Sequence, residues 1–275
     1  LTVPATPEAA PTGGYRAYLD FALELAAAAG EISLRYFQKP IAVESKSDNS
    51  PVTIADRTAE QAMRSMIAAR YPDHGVIGEE FGEQPTGGRY TWVLDPIDGT
   101  KSFIHGVPLY GVLVALLEDD QPVVGVATVP ALREMVYAAR GGGCFSQVGD
   151  GAPQPAHVST VARMDKALLL ASEIVPHVPA YQDEKRAAFA RLCAATHVQR
   201  TWGDTYGYLL VTTGRAEIAL DAKMQVWDCA PFGVILPEAG GTFTDWAGVP
   251  TIRGGESIAT NGALFDATVA LSTYR

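Results

Sequence analysis

The chain predicts an α+β first half joined to an α/β second half, and three observations carry that expectation. Two stretches with helical spacing of apolar residues, 15–37 and 53–70, come early. A series of β-branched and aromatic runs follows over 90–139, broken only by short turn signals. Beyond Leu168, short apolar runs alternate with helical segments, which is the pattern of an α/β unit.

The elements can be justified in order. The first helix is rich in Ala and Leu, places Leu19, Leu23, Ala26, Ala27 and Gly30 on its apolar face, and ends at Lys39-Pro40. Residues 43–51 are polar and turn-like. Thr53-Ile54-Ala55-Asp56 has the form of a capping box and opens a helix to about Arg70. A short strand at 74–77 leads into Gly78-Glu79-Glu80, and 81–89, with Gly82, Pro85, Gly87 and Gly88, reads as a flexible loop. The run 90–94 is a buried strand, and a helix is expected over 100–104. Strands at 109–117, 123–129 and 134–139, separated by Asp119-Asp120 and Pro130-Ala131, form a meander. Gly141-Gly142-Gly143 is a turn. No βαβ pattern surrounds it, so a dinucleotide loop is discounted.

The Gly- and Pro-rich segment 148–155 marks a boundary. It divides the chain into a flexible tail (1–14), an N-terminal α+β domain (15–150) and a C-terminal α/β domain (151–275). In the last, strands are expected at 168–171, 198–201, 218–220, 242–244 and 257–259, with helices at 179–195, 206–213, 227–239 and 262–272.

Composition narrows the function. The 275 residues are 47% hydrophobic and 19% charged, with a formal net charge of −10. That charge disfavours nucleic acid and anionic membranes as partners. No apolar run approaches the ~20 residues of a membrane span, and residues 1–14 lack the basic start and apolar core of a secretory leader. Three cysteines without CxxC spacing argue for a reducing, cytoplasmic setting and against a thiolate zinc site. An acidic protein that handles phosphate needs cations, and the chain supplies their ligands.

Asp95-Pro96-Ile97-Asp98-Gly99-Thr100 places two carboxylates at the end of a strand, with Pro96 fixing the turn between them. Gly99 permits close backbone approach to a ligand, and Thr100 opens a helix whose free amides suit phosphate. An Asp-Gly turn between strands is the plain alternative. Glu79 upstream and Asp228 downstream extend the carboxylate set, with Asp56 similar in kind. Asp228 is expected in the first turn of its helix, where an ordinary capping aspartate would also sit. All-oxygen ligands without His or Cys at ligand spacing select Mg²⁺, Mn²⁺ or Ca²⁺ over zinc, and the Ile97 carbonyl could add a ligand. No Ser or Cys nucleophile stands beside a His/Asp pair, so direct attack by cation-activated water is the expected route. Glu79 could both ligate and accept the proton.

Gly78-Glu79-Glu80, Asp95-Pro96-Ile97-Asp98-Gly99-Thr100 and Trp227-Asp228-Cys229-Ala230-Pro231, in that order, resemble the inositol monophosphatase family of Mg²⁺-dependent phosphatases. The segments Val52-Thr53-Ile54-Ala55-Asp56 and Glu238-Ala239-Gly240-Gly241 fit the same pattern, so the likeness runs from about Tyr15 to the end. The resemblance implies a layered αβαβα sandwich of the sugar-phosphatase type, a homodimer, and two or three Mg²⁺ per site with Mn²⁺ able to substitute. It assigns Glu79, Asp95, the Ile97 carbonyl, Asp98 and Asp228 to the metals, and Gly99 and Thr100 to phosphate. Asp56 and Thr100 become the pair that orients water. Lys46 falls near a lysine that some members place at the site, but its spacing to Asp56 fits poorly and a solvated surface lysine is expected.

Residues 100–108 and Gly203-Asp204-Thr205-Tyr206-Gly207-Tyr208 are most similar to the histidinol-phosphate phosphatases of that superfamily. Asp204 and Asp221, with Asp98, would then receive the substrate; Asp221 matches an acidic position of inositol enzymes and does not separate the two. A helix cap is the alternative for Asp204. The expected reaction is hydrolysis of L-histidinol phosphate to L-histidinol and phosphate. Inositol-1-phosphate or a phosphorylated nucleotide are alternative substrates, and a catalytically silent phosphate-ligand binding protein is the alternative outside enzymes. His105 is expected to end its helix, and Cys229 to be a packed thiol.

Overall fold

The structure is a computed structural model that describes residues 14–46, 50–173 and 183–273. Residues 1–13 of the expected tail and the first residues of the expected helix at 179–195 lie outside the described residues. In chain order the elements are α1 (Arg16–Tyr36), β1 (Val43–Ser45), β2 (Pro51–Thr53), α2 (Ile54–Arg70), β3 (Gly75–Gly78), β4 (Gly82–Gln84), β5 (Tyr90–Asp98) and α3 (Thr100–Ile104). The meander comprises β6 (Gly111–Glu118), β7 (Gln121–Val129), β8 (Glu134–Ala139), β9 (Cys144–Val148) and β10 (Gln154–Pro155). Then come β11 (Leu168–Ala171), α4 (Asp183–Ala195), β12 (Val198–Arg200), α5 (Asp204–Thr212) and β13 (Ile218–Asp221). The last are α6 (Val226–Cys229), α7 (Phe232–Glu238), β14 (Thr242–Thr244), β15 (Ser257–Thr260) and α8 (Phe265–Ser272).

Two sheets alternate with three helical layers. The larger sheet runs β10-β9-β8-β7-β6-β5-β3-β4 and is antiparallel except between β3 and β5. The smaller runs β12-β11-β13-β15-β14. It is mixed, because β15 returns antiparallel to β13, where strand–helix alternation alone suggests a parallel unit. α1 and α2 cover the outer face of the larger sheet, α5 to α7 lie between the sheets, and α4 and α8 close the far face of the smaller one.

Strand alternation explains why β6 reads as a continuous apolar run. Val112, Val114 and Leu116 pack under α1 and α2, whereas Leu113, Ala115 and Leu117 join the core between the sheets. Each such side chain contributes roughly 1.5–3 kcal/mol by leaving water. That inner core draws on both sides of the expected boundary, since Leu170, Ala219 and Ala259 pack into it.

Several expectations need correction. The buried stripe of α1 includes Leu19, Ala26 and Gly30 as expected, and also Tyr18, Ala22, Leu25 and Ala29, while Leu23 is half-buried and Ala27 is exposed. In so Ala-rich a helix the aromatic anchors set the rotation. Residues 43–45 and 51–53 form a hairpin, β1 with β2. The supposed loop 81–89 contains the edge strand β4. The helix expected over 227–239 is two helices, with Ala230 and Pro231 between them. Proline at 231 cannot donate an amide to a continuous helix. Among the described residues, no helix is long and apolar enough to cross a membrane.

Candidate active site

The site forms where β5 passes from strand to turn. Val93 belongs to the core between the sheets, and strand alternation puts Asp95 on the same side. The chain does not turn at Pro96 as expected; β5 continues to Asp98, with a register shift against β6 between Asp95 and Asp98. This irregularity lets two acidic residues three apart converge, which a regular pleat would prevent. Asp95 Oδ1 accepts the Ile97 amide at 3.0 Å and so fixes the bend. Gly99 then adopts a left-handed conformation (φ 80°) and α3 begins at Thr100. A Cβ on Gly99 would fall 2.8 Å from Asp204 Oδ2, so the position leaves no room for a side chain.

Asp228 arrives from α6. It stands third in that helix and accepts the Gln225 amide at 2.7 Å, closing a capping box. Carboxylate oxygens of Asp95, Asp98 and Asp228 all lie within 4.8 Å of one another. Burial, then the charge of Glu79, Asp98 and Asp228, pushes Asp95 well above the usual carboxylate range. Burial followed by the charge of Asp98 does the same to Asp228. Asp98 is pushed up to about 6, again chiefly by burial, although Thr205 hydrogen bonds oppose the rise. Three converging carboxylates that repel one another fit a hard divalent cation, whose charge would reverse these shifts.

The charge pattern gives a pH prediction for the cation-free protein. Asp98 and Asp221 both titrate near 6 in the fold and near 4 in the unfolded chain. The folded state therefore binds more protons in that interval, and stability falls as pH rises from about 4 to about 6 and stays reduced above it. Thermal unfolding without cations should show a lower midpoint at pH 7.5 than at pH 5, and Mg²⁺ should restore it mainly at the higher pH. A midpoint that rises with pH over this interval in the cation-free protein would contradict the carboxylate repulsion.

α2 supplies the opposite wall. Thr53 caps it, and Asp56 Oδ2 accepts the Thr53 amide at 2.8 Å and its hydroxyl at 2.6 Å. The other oxygen, Asp56 Oδ1, accepts the Thr100 hydroxyl at 3.4 Å, and that hydroxyl also reaches the Ile97 carbonyl at 3.1 Å. One turn further along α2, Glu60 is wholly buried and accepts the amides of Glu80 (2.7 Å) and Phe81 (3.2 Å). Arg64 neutralises it at 2.7 Å. Glu60 thereby holds the turn that presents Glu79. Its signal in the sequence was only a glutamate four residues after Asp56.

Lys46 is not the solvated lysine expected. Its side chain is 22% exposed and reaches Glu79 at 2.8 Å and Glu80 at 2.7 Å. Burial works to lower the lysine, but both carboxylates outweigh it and the net direction is upward. Glu80 nonetheless rises to about 7, because its own burial outweighs the ammonium and Glu79 adds repulsion.

The far end of the cleft is acidic. Asp204 is not the cap of α5; Gly203 is, and Asp204 follows in a left-handed conformation (φ 52°) with its amide on Ser172 Oγ at 2.7 Å. Burial and the charges of Asp98 and Asp221 push its carboxylate well above the usual range. Asp221, at the end of β13, accepts the Ser172 amide at 2.9 Å and the Tyr208 hydroxyl at 2.8 Å. Both line a cleft of about 670 Å³ that also contains Asp95, Asp98, Thr100 and Asp228. Lys101 and Glu173 pair at its rim, 2.7 Å apart. His105 ends α3 with Nδ1 2.7 Å from the Lys101 carbonyl, and Cys229 is buried.

Three carboxylates thus converge between the two sheets of a five-layer sandwich, and comparison with known proteins places the chain in a family. The model of the inositol monophosphatase family matches residues 15–273, and the chain belongs to that family. Among curated relatives, a histidinol-phosphatase of Chlorobaculum parvum is 43% identical over 251 residues, covering 90% of this chain and 93% of the relative. One from Mycobacterium tuberculosis is 39% identical over 249 residues, covering 90% and 95%. Among solved structures, the extragenic suppressor protein SuhB of Bartonella henselae superposes with a TM-score of 0.84 at 25% identity, covering 94% of this chain and 98% of that one. The Thermotoga maritima inositol monophosphatase gives 0.81 at 27% identity, covering 93% and 96%. The expected layered fold and family are thus both found.

Proposed function

We propose that the chain is a Mg²⁺-dependent phosphomonoesterase that hydrolyses L-histidinol phosphate to L-histidinol and phosphate. The observation that carries this reading is the acidic end of the cleft. Asp204 and Asp221 sit beside Asp98, and the mutual repulsion of these carboxylates outweighs the charge of Lys101 at Asp204. A leaving group bearing an ammonium and an imidazole satisfies that charge, and a neutral polyol does not. The relatives named as histidinol-phosphatases support the same substrate.

Asp95, Asp98, Asp228 and Glu79, with the Ile97 carbonyl, are the proposed cation ligands. Two or three bound Mg²⁺, or Mn²⁺ in their place, would supply charge that polarises the phosphoryl group and acidifies water. Gly99 and Thr100 hold the phosphate at the start of α3. The Thr100 hydroxyl, fixed by Asp56 and the Ile97 carbonyl, orients the attacking water, and a Glu79 carboxylate oxygen takes its proton. Attack at phosphorus then breaks the bond to the histidinol oxygen, which takes a proton from water of the open cleft and leaves as the alcohol from the Asp204 end. We further propose a homodimer working in the cytoplasm, within histidine biosynthesis.

Phosphate release with Mg²⁺ should be compared for L-histidinol phosphate and myo-inositol-1-phosphate. A preference of ~100-fold or more for the first is expected, about 2.7 kcal/mol of differential transition-state binding. Preference for the inositol ester would move the assignment to an inositol-phosphate phosphatase.

A further inference from the structure

We propose that Thr205 is a positioning residue that ties the cation cluster to the leaving-group end of the cleft, a role that rests on the reading of the site given above. It acts through Asp98 on one side and Asp204 on the other.

The Thr205 amide and hydroxyl both donate to Asp98 Oδ2, each at 2.5 Å. Asp98 thus caps the N-terminus of α5 from a different element, where Gly203 has no side chain to do so. With Oδ2 committed twice, the remaining oxygen is held in a defined direction for the cation site. Ligating carboxylates are oriented by such outer hydrogen bonds.

The strand opposite is built around this contact. Asp98 faces Gly111 of β6 in the ladder, directly after the register shift. A Cβ on Gly111 would fall 2.2 Å from Thr205 Oγ1, so only bare backbone leaves the hydroxyl its place. Thr205 itself is wholly buried.

The second consequence falls on Asp204. Its left-handed backbone is one that L-residues rarely adopt, and it persists only where neighbours over-determine it. Ser172 Oγ holds the Asp204 amide, and Asp98 holds the residue after it. The conformation that presents the Asp204 carboxylate to the cleft is clamped on both sides. One of the clamps is a cation ligand.

Thr205→Val keeps the shape and removes the hydroxyl, and Thr205→Ser keeps the hydroxyl. Calorimetric titration with Mg²⁺ alone, without substrate, should show affinity about tenfold weaker in the valine variant and within about threefold of the parent in the serine variant. The preference for L-histidinol phosphate over inositol-1-phosphate, read as a kcat/KM ratio, should narrow at least about fivefold in the valine variant only. Unchanged Mg²⁺ affinity in the valine variant would overturn the proposal. So would a serine variant as impaired as valine, which would make methyl packing the cause. Should the valine variant not fold, Gly111→Ala crowds the same hydroxyl from β6, and full Mg²⁺ affinity there would overturn the proposal equally. A parent protein releasing phosphate from neither ester would defeat the proposed function, while the Mg²⁺ titrations would still decide the role of Thr205.

Discussion

Asp95→Asn should lower kcat for phosphate release by about three orders of magnitude, roughly 4 kcal/mol in the barrier, while leaving the cation-free protein as stable as the parent or more so. Both effects come from the same charge. Asp95 is 1% exposed and is surrounded by Glu79, Asp98 and Asp228. Removing it relieves repulsion in a low-dielectric site that no cation offsets, so the thermal midpoint without Mg²⁺ should not fall. An asparagine oxygen can still accept the Ile97 amide, so the bend before α3 survives. With Mg²⁺ present the order reverses, because the ligand cluster has lost a charge it needs for binding. Such opposition between stability and activity is common where a site is built from mutually repelling groups. Phosphate release and thermal unfolding with and without Mg²⁺ measure the two halves. Near-parental turnover would remove Asp95 from the cation site.

How much of this was legible in the sequence depends on the range of the interactions. The capping box at Thr53 and Asp56 is local: spacing and residue type determine it, and α2 begins where expected. Helix α3 and strands β8, β11 and β14 likewise match their expected limits. The bend after Asp95 is legible in the motif, but what produces it is not. Pro96 suggested a turn, whereas a strand irregularity set by pairing with β6 does the work. Lys46 is only half legible: the resemblance brings it near the site, but its approach to Glu79 depends on the β1–β2 hairpin and on a contact 33 residues away. Asp204 resembled a cap because aspartate before a helix commonly is one. Only the left-handed backbone and Asp98, 107 residues from its capping partner Thr205, show that the cap comes from elsewhere. Glu60 looked like any glutamate on an amphipathic helix, yet Gly78 carries its trace. A Cβ there would lie 2.1 Å from Glu60 Oε1.

Asp204→Asn tests substrate choice most directly, and asparagine is the residue to use. It has nearly the same shape as aspartate, and it tolerates the left-handed backbone at this position better than most residues. The hydrogen bond from the Asp204 main-chain amide to Ser172 Oγ and the capping of Thr205 by Asp98 involve main-chain groups and neighbouring side chains that the substitution leaves in place. What is lost is one negative charge beside Asp221. In the proposed complex that charge meets a substrate ammonium or imidazolium in a partly desolvated cleft, where truncating one partner typically costs 2–5 kcal/mol. Asp221 and Asp98 retain part of the attraction, so the lower end applies. The kcat/KM for L-histidinol phosphate should fall about 100-fold, and that for inositol-1-phosphate should change by less than about threefold. Because burial and the Asp98 and Asp221 charges already oppose ionisation of Asp204, the neutral replacement should not destabilise the protein without substrate. An equal loss for both esters would place Asp204 in the general architecture of the cleft and leave substrate selection to Asp221 and its neighbours.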